Sequence, residues 1–434
     1  MTSDNRWFIP GKASVLVGGQ FGSEAKGLAA AYMAEANKAE LNEINMLVAT
    51  TNAGAQAGHT TVYANGDKFV CFHLPTTGVV IGRSINEFPN LNLMIYVNSG
   101  AILDLDTFQK ELDTMGLGPR APVYVSPFAA VINDEARQMD ADPNGPAGIA
   151  STGKGVGGAL ANKILRRRKS VMEDTNKHAV DDRIFTAEVP VGFNLMQNKA
   201  AVIVEIPQGT GLSINSSGFF PHTTSRECWV MQGLTDAGIH ANQLGKICMV
   251  ARTFPIRVGN TDKGNSGDFW HDSDELFWDD FPGVEPERTT VTKRIRRIAT
   301  FSYQQYRHAL LLNQPDTLFF SFINYLKTPS ELGQMTAKMA EVESKVGISP
   351  TKVYSWGPCV EDVGNFRQAM AWLRAREALT VEAGTIPIPE TAPVLPPKSA
   401  GTPPADVETG DGSPRPRDTL DDATDAQTNN PENS

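Results

Sequence analysis

The chain has 434 residues, 41% of them hydrophobic, and a formal net charge of −10. That length permits a sizeable core, and the acidic balance argues against direct DNA or RNA binding, which favours basic surfaces. No apolar run approaches the roughly 20 residues of a membrane span, so no membrane association is expected.

The opening MTSDNRWFIPGK is polar and unlike a signal peptide. Next, ASVLVGG is a continuous apolar run and predicts a buried strand. The good helix formers of EAKGLAAAYMAEANK follow at once. TTVYANGDKFVCFHL predicts a β-hairpin around Asn65-Gly66, and TFQKELDTMG a short helix stopped by glycine. AAVIVEI, KICMVART and DTLFFSFIN read as further buried strands, and SELGQMTAKMAEVESKVG and DVGNFRQAMAWLRAREAL as amphipathic helices. This alternation predicts an α/β fold, one large domain over 1–386 with a mostly parallel central sheet and flanking helices. From Pro387 to Ser434 the chain is rich in Pro, Asp, Thr and Gly and lacks aromatics. Such a segment buries too little apolar surface to offset its ordering entropy and predicts a disordered tail. The four cysteines, Cys71, Cys228, Cys248 and Cys359, form no CxxC pair and no zinc-like cluster. A reduced, cytoplasmic protein is the expectation.

The strand–turn–helix VLVGGQFGSEAKG has the form of a phosphate cradle. Backbone N–H groups and a helix N-terminus face an anion, and Lys26 adds a point charge. Gly18, Gly19, Gly22 and Gly27 supply the turn. The GxxxxGK[ST] spacing is absent, and many glycine-rich turns of this kind bind nothing.

Five further segments follow in order: AGAQAGHTTVYANGDKFVCFHLPTTGV, GIASTGKGVGGALANKILRR, VEIPQGTGLSINSSGFFPHTTS, TTVTKRIRR and VYSWGP. With the first loop, and from about Ala13 to Leu373, they resemble the adenylosuccinate synthetase family, a fold related to the P-loop NTPases. The resemblance implies a two-step ligation. A nucleoside triphosphate phosphorylates O6 of a 6-oxopurine monophosphate, and the amine of L-aspartate then displaces that phosphate.

It also implies site residues. Gly22, Ser23, Glu24, Ala25, Lys26 and Gly27 would wrap the triphosphate and the reacting O6, with Lys26 balancing charge. His59 would be the general acid, flanked by Gly58 and Thr60. Mg²⁺ would be held at Gly58 and at position 23. Gln208 would hydrogen-bond the base. Gln56, Thr152 and Thr224 would bind the 5′-phosphate, and Arg166 would reach that phosphate in a second subunit, implying a homodimer. Thr290, Val291, Thr292 and Arg294 would form the aspartate loop, with Arg296 between aspartate and triphosphate. Ser355, Gly357 and Pro358 would line the triphosphate's base pocket. By itself KILRRRK reads as a solvated basic helix face, and TKRIRR as surface charge.

Three departures bear on substrate. The family loop reads GDEGKG, and its aspartate is both base and metal ligand; here that position is Ser23. A neutral hydroxyl is a poor base, and the change alone is compatible with a dead enzyme. It also makes room for a 2-amino group, as in guanine, and offers both a donor and an acceptor. The same replacement marks the branch of the family that joins aspartate to dGMP, towards the diaminopurine nucleotide of some phage DNA. Second, the family's guanine-reading TKxD element is replaced by Ser321, Phe322, Ile323 and Asn324. Asparagine matches an adenine edge, so ATP or dATP is the expected donor, with Phe322 available for stacking. Third, Ala25 stands where the family loop has glycine. The favoured reading is a dGMP–aspartate ligase using ATP or dATP and Mg²⁺. The alternatives are an ordinary synthetase acting on IMP with GTP, and a non-catalytic nucleotide-binding module.

Overall fold

The computed structural model describes residues 6–174, 183–289 and 293–382. The aspartate-loop residues Thr290, Val291 and Thr292 and the tail from 387 lie outside them.

Ten strands form the central sheet: β1 (Ala13–Gly18), β2 (Met46–Thr51), β3 (Asn92–Val97), β4 (Val123–Val125), β5 (Ile184–Thr186), β6 (Ala201–Glu205), β7 (Leu244–Arg252), β8 (Thr317–Ser321), β9 (Thr351–Ser355) and β10 (Val363–Gly364). Their order is β10-β9-β8-β7-β1-β6-β2-β3-β4-β5. Every neighbouring pair is parallel except β9–β10. A parallel sheet is covered on both faces, so its strands read as unbroken apolar runs rather than alternating ones. In β1, Leu16 packs into one core with Leu47, Ile203, Val250 and Phe319. Its neighbours Val15 and Val17 pack into the other, with Val202, Met249 and Phe320. No described helix is long and apolar enough to cross a membrane.

β1 lies mid-sheet between β6 and β7, the place where ligands bind beyond strand C-termini in such sheets. The turn that follows β1 is organised by one buried side chain. Glu24 accepts the N–H groups of Gln20 (3.1 Å) and Gly22 (2.8 Å) on Oε1 and Lys26 Nζ (2.9 Å) on Oε2. The helix begins at Lys26, two residues later than its helix formers suggest, because Ser23 (φ 59°) and Ala25 (φ 71°) are left-handed.

The predicted hairpin is present as His59–Val62 and Lys68–Cys71. Its turn is wider than a two-residue one: Tyr63 N–H donates to the Asp67 carbonyl, and Gly66 N–H to the Tyr63 carbonyl. A three-stranded antiparallel sheet of Ile256–Arg257, Glu275–Leu276 and Arg297–Ala299 has no counterpart among the elements the sequence predicts. Its strands are two or three residues long and carry no usable periodicity.

Gly209 shows how tight the turn is. A Cβ there would lie 2.5 Å from the Gln20 carbonyl oxygen, 2.5 Å from Glu24 Oε1 and 2.7 Å from Gly22 N. At Gly118 a Cβ would meet nothing within 4 Å. Gly209→Ala is therefore expected to lower unfolding free energy by about 1–3 kcal/mol. Gly118→Ala should stay within about 0.5 kcal/mol. Denaturant unfolding of both variants checks this, and equal stabilities would contradict the packing described.

Candidate functional site

A cavity of about 620 Å³ opens beyond the C-terminal ends of β1, β6, β7 and β8, a size suited to small-molecule ligands. Its wall includes Gly22, Ser23, Ala25, Lys26 and Gly27 of the first turn, and Gln56, Gly58, His59 and Thr60 from the hairpin and the segment before it. It also includes Thr152, Gln208, Thr224, Arg296, Asn324, Ser355, Gly357 and Pro358. Most of the residues the resemblance singled out, scattered over more than 300 positions, thus share one wall.

Three do not. Glu24 is fully buried and its carboxylate is spent on the turn itself, so it shapes the cradle instead of facing a ligand. Arg166 is exposed, away from the cavity wall, beside Ile164 and Leu165. Arg294 donates to the carbonyls of Gly259, Ala150 and Ser151 and is not part of the wall either.

The hairpin is pressed onto the helix start. A Cβ at Gly27 would lie 2.4 Å from the Thr60 carbonyl oxygen, and Thr61 Oγ1 donates to the Gly27 carbonyl. This close approach brings His59 against the cradle. Its Nδ1 is 3.7 Å from Glu205 Oε2, at the end of β6. Glu205 in turn accepts the N–H groups of Thr76 and Thr77. His59 Nε2 is buried and meets no hydrogen-bond partner among the described residues, and neither amide atom of Gln56 does. Buried polar atoms are rarely left so in a complete site. Asp140 anchors the segment that carries Thr152 by accepting the N–H groups of Gly155 (2.6 Å) and Gly158 (3.2 Å).

Sequence reading missed the group that ties the wall together. Arg252, the last residue of β7, is fully buried. Its Nη1 donates to the Ser23 carbonyl at 3.1 Å, and both Nη atoms reach the Glu287 carboxylate. Its guanidinium lies 3.7 Å from the Phe322 ring centroid, a cation–π stack. Phe322 therefore offers a ligand at most its other face. Tyr325 Oη donates to Glu287 at 2.7 Å. Burial pushes the Glu287 carboxyl up, but Arg252 and then Arg296 outweigh it and hold the group below its ordinary range. A charged residue ending a buried strand, as in MVART, was the available signal.

Arg296 donates to the Ser23 hydroxyl, and its Nε is 4.0 Å from Glu287. Arg257 is the other cation missed: its guanidinium donates to the carbonyls of Ser266, Asp268 and His222 and lies over Phe21. Burial, and then repulsion from Arg297, lowers it to about 9. Left-handed non-glycine backbone gathers here too: Ser23, Ala25, Ala150, Gln208 and Phe322 all line the cavity. Such strain concentrates at functional sites.

Among the described residues the side chains alone do not make a Mg²⁺ site, and the expected Gly58 carbonyl lies in the cavity wall. The Ser23 hydroxyl receives Arg296, the wall's carboxylates Asp140 and Glu287 are engaged as above, and no described His/Cys/Asp/Glu cluster fits a metal. A protein-held ion of this kind needs carboxylate oxygens, or else arrives on substrate phosphates.

The adenylosuccinate synthetase family profile matches residues 15–191 and 189–384. An N6-succino-2-amino-2′-deoxyadenylate synthase of Salmonella phage PMBT28 is 34% identical, over 81% of this chain and 97% of its own. One of Vibrio phage phiVC8 is 33% identical, over 79% and 95%. Among solved structures, the cyanophage S-2L succinoaminodeoxyadenylate synthetase, bound to dGMP and to dATP as energy donor, superposes with a TM-score of 0.70 at 28% identity, over 84% of this chain and 99% of that one. The cradle after β1, the shared cavity and these similarities agree: the chain belongs to the adenylosuccinate synthetase family of C–N bond-forming ligases.

Proposed function

We propose that the protein joins L-aspartate to C6 of dGMP at the expense of ATP or dATP, giving 2-amino-2′-deoxy-N6-succinyladenylate for diaminopurine DNA. The observation that carries this is position 23. A small neutral side chain stands at the tip of the cradle, facing the cavity, where the family has aspartate. The phage relatives named for this product, and the structure bound to dGMP and dATP, support the same reading.

A purine carbonyl oxygen is a poor leaving group, and phosphorylating it makes it a good one. Catalysis is then mainly positioning and charge neutralisation. Lys26 and His59 act at the transferring phosphoryl group, with the free His59 Nε2 as the proton donor. Gln208 holds the purine. Gln56, Thr152 and Thr224 hold the 5′-phosphate, and Arg166 completes that pocket in a second copy. The exposed Ile164 (72%) and Leu165 (60%) beside it support a face that packs against another subunit. The loop through 290–292, with Arg294 and Arg296, takes aspartate. Mg²⁺ enters with the triphosphate, as part of that substrate.

The donor's base meets Phe322, Asn324 and the Ser355–Pro358 segment. Arg376 pins the Asn324 carbonyl at 2.6 Å, and the Asn324 amide makes no hydrogen bond to another described residue. ATP or dATP should support turnover at least about tenfold better than GTP, or about 1.4 kcal/mol in the barrier. Asn324→Asp should narrow that gap by restoring a guanine-reading carboxylate. Initial rates with each triphosphate check this, and a strong preference of the unaltered enzyme for GTP would contradict it.

Ser23 is expected to set the purine. Its left-handed backbone suits aspartate at least as well, so Ser23→Asp should fold. That variant should lose about tenfold or more in kcat/KM for dGMP, while IMP turnover holds or rises. Ser23→Ala separates space from hydroxyl chemistry, and it keeps substantial dGMP activity only if space alone is required. The measurement is kcat/KM for dGMP and IMP in the three proteins at saturating ATP and aspartate. An unchanged dGMP-to-IMP ratio in Ser23→Asp would remove this position from purine choice.

A further inference from the structure

Ser23 sits between two guanidiniums. Arg252 donates to its carbonyl and Arg296 to its hydroxyl. One carboxylate serves both: Glu287 is bonded to Arg252 and to Tyr325 and stands 4.0 Å from Arg296. No other described anion in the wall or directly behind it is free to balance them. Glu24 is bonded to Gln20 N, Gly22 N and Lys26, and Asp140 to Gly155 N and Gly158 N. Glu205 is taken by Thr76 N and Thr77 N, with His59 beside it. Arg257 adds a further cation, which donates to backbone carbonyls and lies over the Phe21 and Phe219 rings. At Ser23 itself, Arg252 and Arg296 thus set two cations against the one anion Glu287, while the serine side chain is exposed to the cavity and within reach of water.

We propose, on the functional reading above, that no side chain acts as base at the purine: the Ser23–Arg296 pair instead stabilises the negative charge that develops on the purine edge once its N1 proton leaves to water. With Arg296 donating into the Ser23 oxygen, the serine O–H is left to donate to that edge, a charge-assisted bond. The N1–H electron pair becomes the N1–C6 π bond, and the C6–O6 π pair moves onto O6. O6 attacks the γ-phosphorus. The bond from γ-phosphorus to the bridging oxygen breaks, its pair staying with the nucleoside diphosphate. The proton is carried off as hydronium.

Such an enzyme depends on the acidity of the purine itself. The test compares kcat/KM at one pH for 7-deaza-dGMP, dGMP and 8-aza-dGMP, in order of rising N1 acidity. The proteins are the wild type, Ser23→Asp, Arg296→Met and Arg296→Lys. The wild type should favour 8-aza-dGMP over 7-deaza-dGMP by tenfold or more. Ser23→Asp, carrying its own base, should compress that ratio at least threefold. Any effect of the altered ring atoms on binding is common to both proteins and cancels between them. Arg296→Met should cost about 100-fold on dGMP, the scale of a lost oxyanion donor, with Arg296→Lys restoring part. A wild-type rate indifferent to N1 acidity, or an Arg296→Met effect confined to the aspartate KM, would overturn the proposal. No succinyl product from dGMP in the wild type is a separate failure, which overturns the function above and this inference with it.

Discussion

One buried carboxylate shapes everything that follows β1. Glu24 turns beneath its own loop and gathers two backbone N–H groups and Lys26. The bonds satisfy the charge that burial would otherwise make costly. The geometry that results has consequences on every side. The space it fills excludes any side chain at Gly209. Lys26 is fixed at the helix start with its charge already balanced by Glu24. Ser23 is pushed outward into the cavity on a left-handed backbone. A loop less tightly bound would leave residue 23 free to face elsewhere.

Around that loop the ligand segments are joined through side chains, not by sequence proximity. Arg252 connects the cradle to Glu287, and Glu287 connects it to Arg296 and Tyr325. Phe322 lies under the same guanidinium. The residues proposed for the purine and for the triphosphate base therefore share one charged junction with Arg296. A shift in any of them changes the electrostatic surroundings of the others, which suits a reaction that needs three ligands placed together.

Much of the fold was legible because apolar runs and glycine punctuation are local signals. The buried strands β1, β6, β7 and β8, the hairpin and the glycine-stopped helix all follow from short stretches. The three-stranded sheet at Ile256–Arg257, Glu275–Leu276 and Arg297–Ala299 did not, since its pairing is non-local and its strands are too short for a period. The site divides in the same way. Ser23, His59, Gln56, Gln208 and Asn324 were marked by motifs and share one wall. Arg252 and Glu287 lie outside the motifs, and their significance arises only when β7 ends beside the first loop. Glu24 stood inside a motif yet faces inward, because a sequence motif does not say which way a side chain turns.

The central claim is that one cavity brings the O6 of dGMP to a triphosphate and hands the activated carbon to aspartate. Oxygen-18 at O6 tests it most directly. The protein is incubated with [6-¹⁸O]dGMP, ATP, Mg²⁺ and L-aspartate, and nucleotide and phosphate are read by mass spectrometry. The account predicts a succinyl-amino nucleotide that has lost the label, with one ¹⁸O in each inorganic phosphate released. Phosphate released without label while the nucleotide keeps its ¹⁸O would show simple triphosphate hydrolysis and would contradict the account.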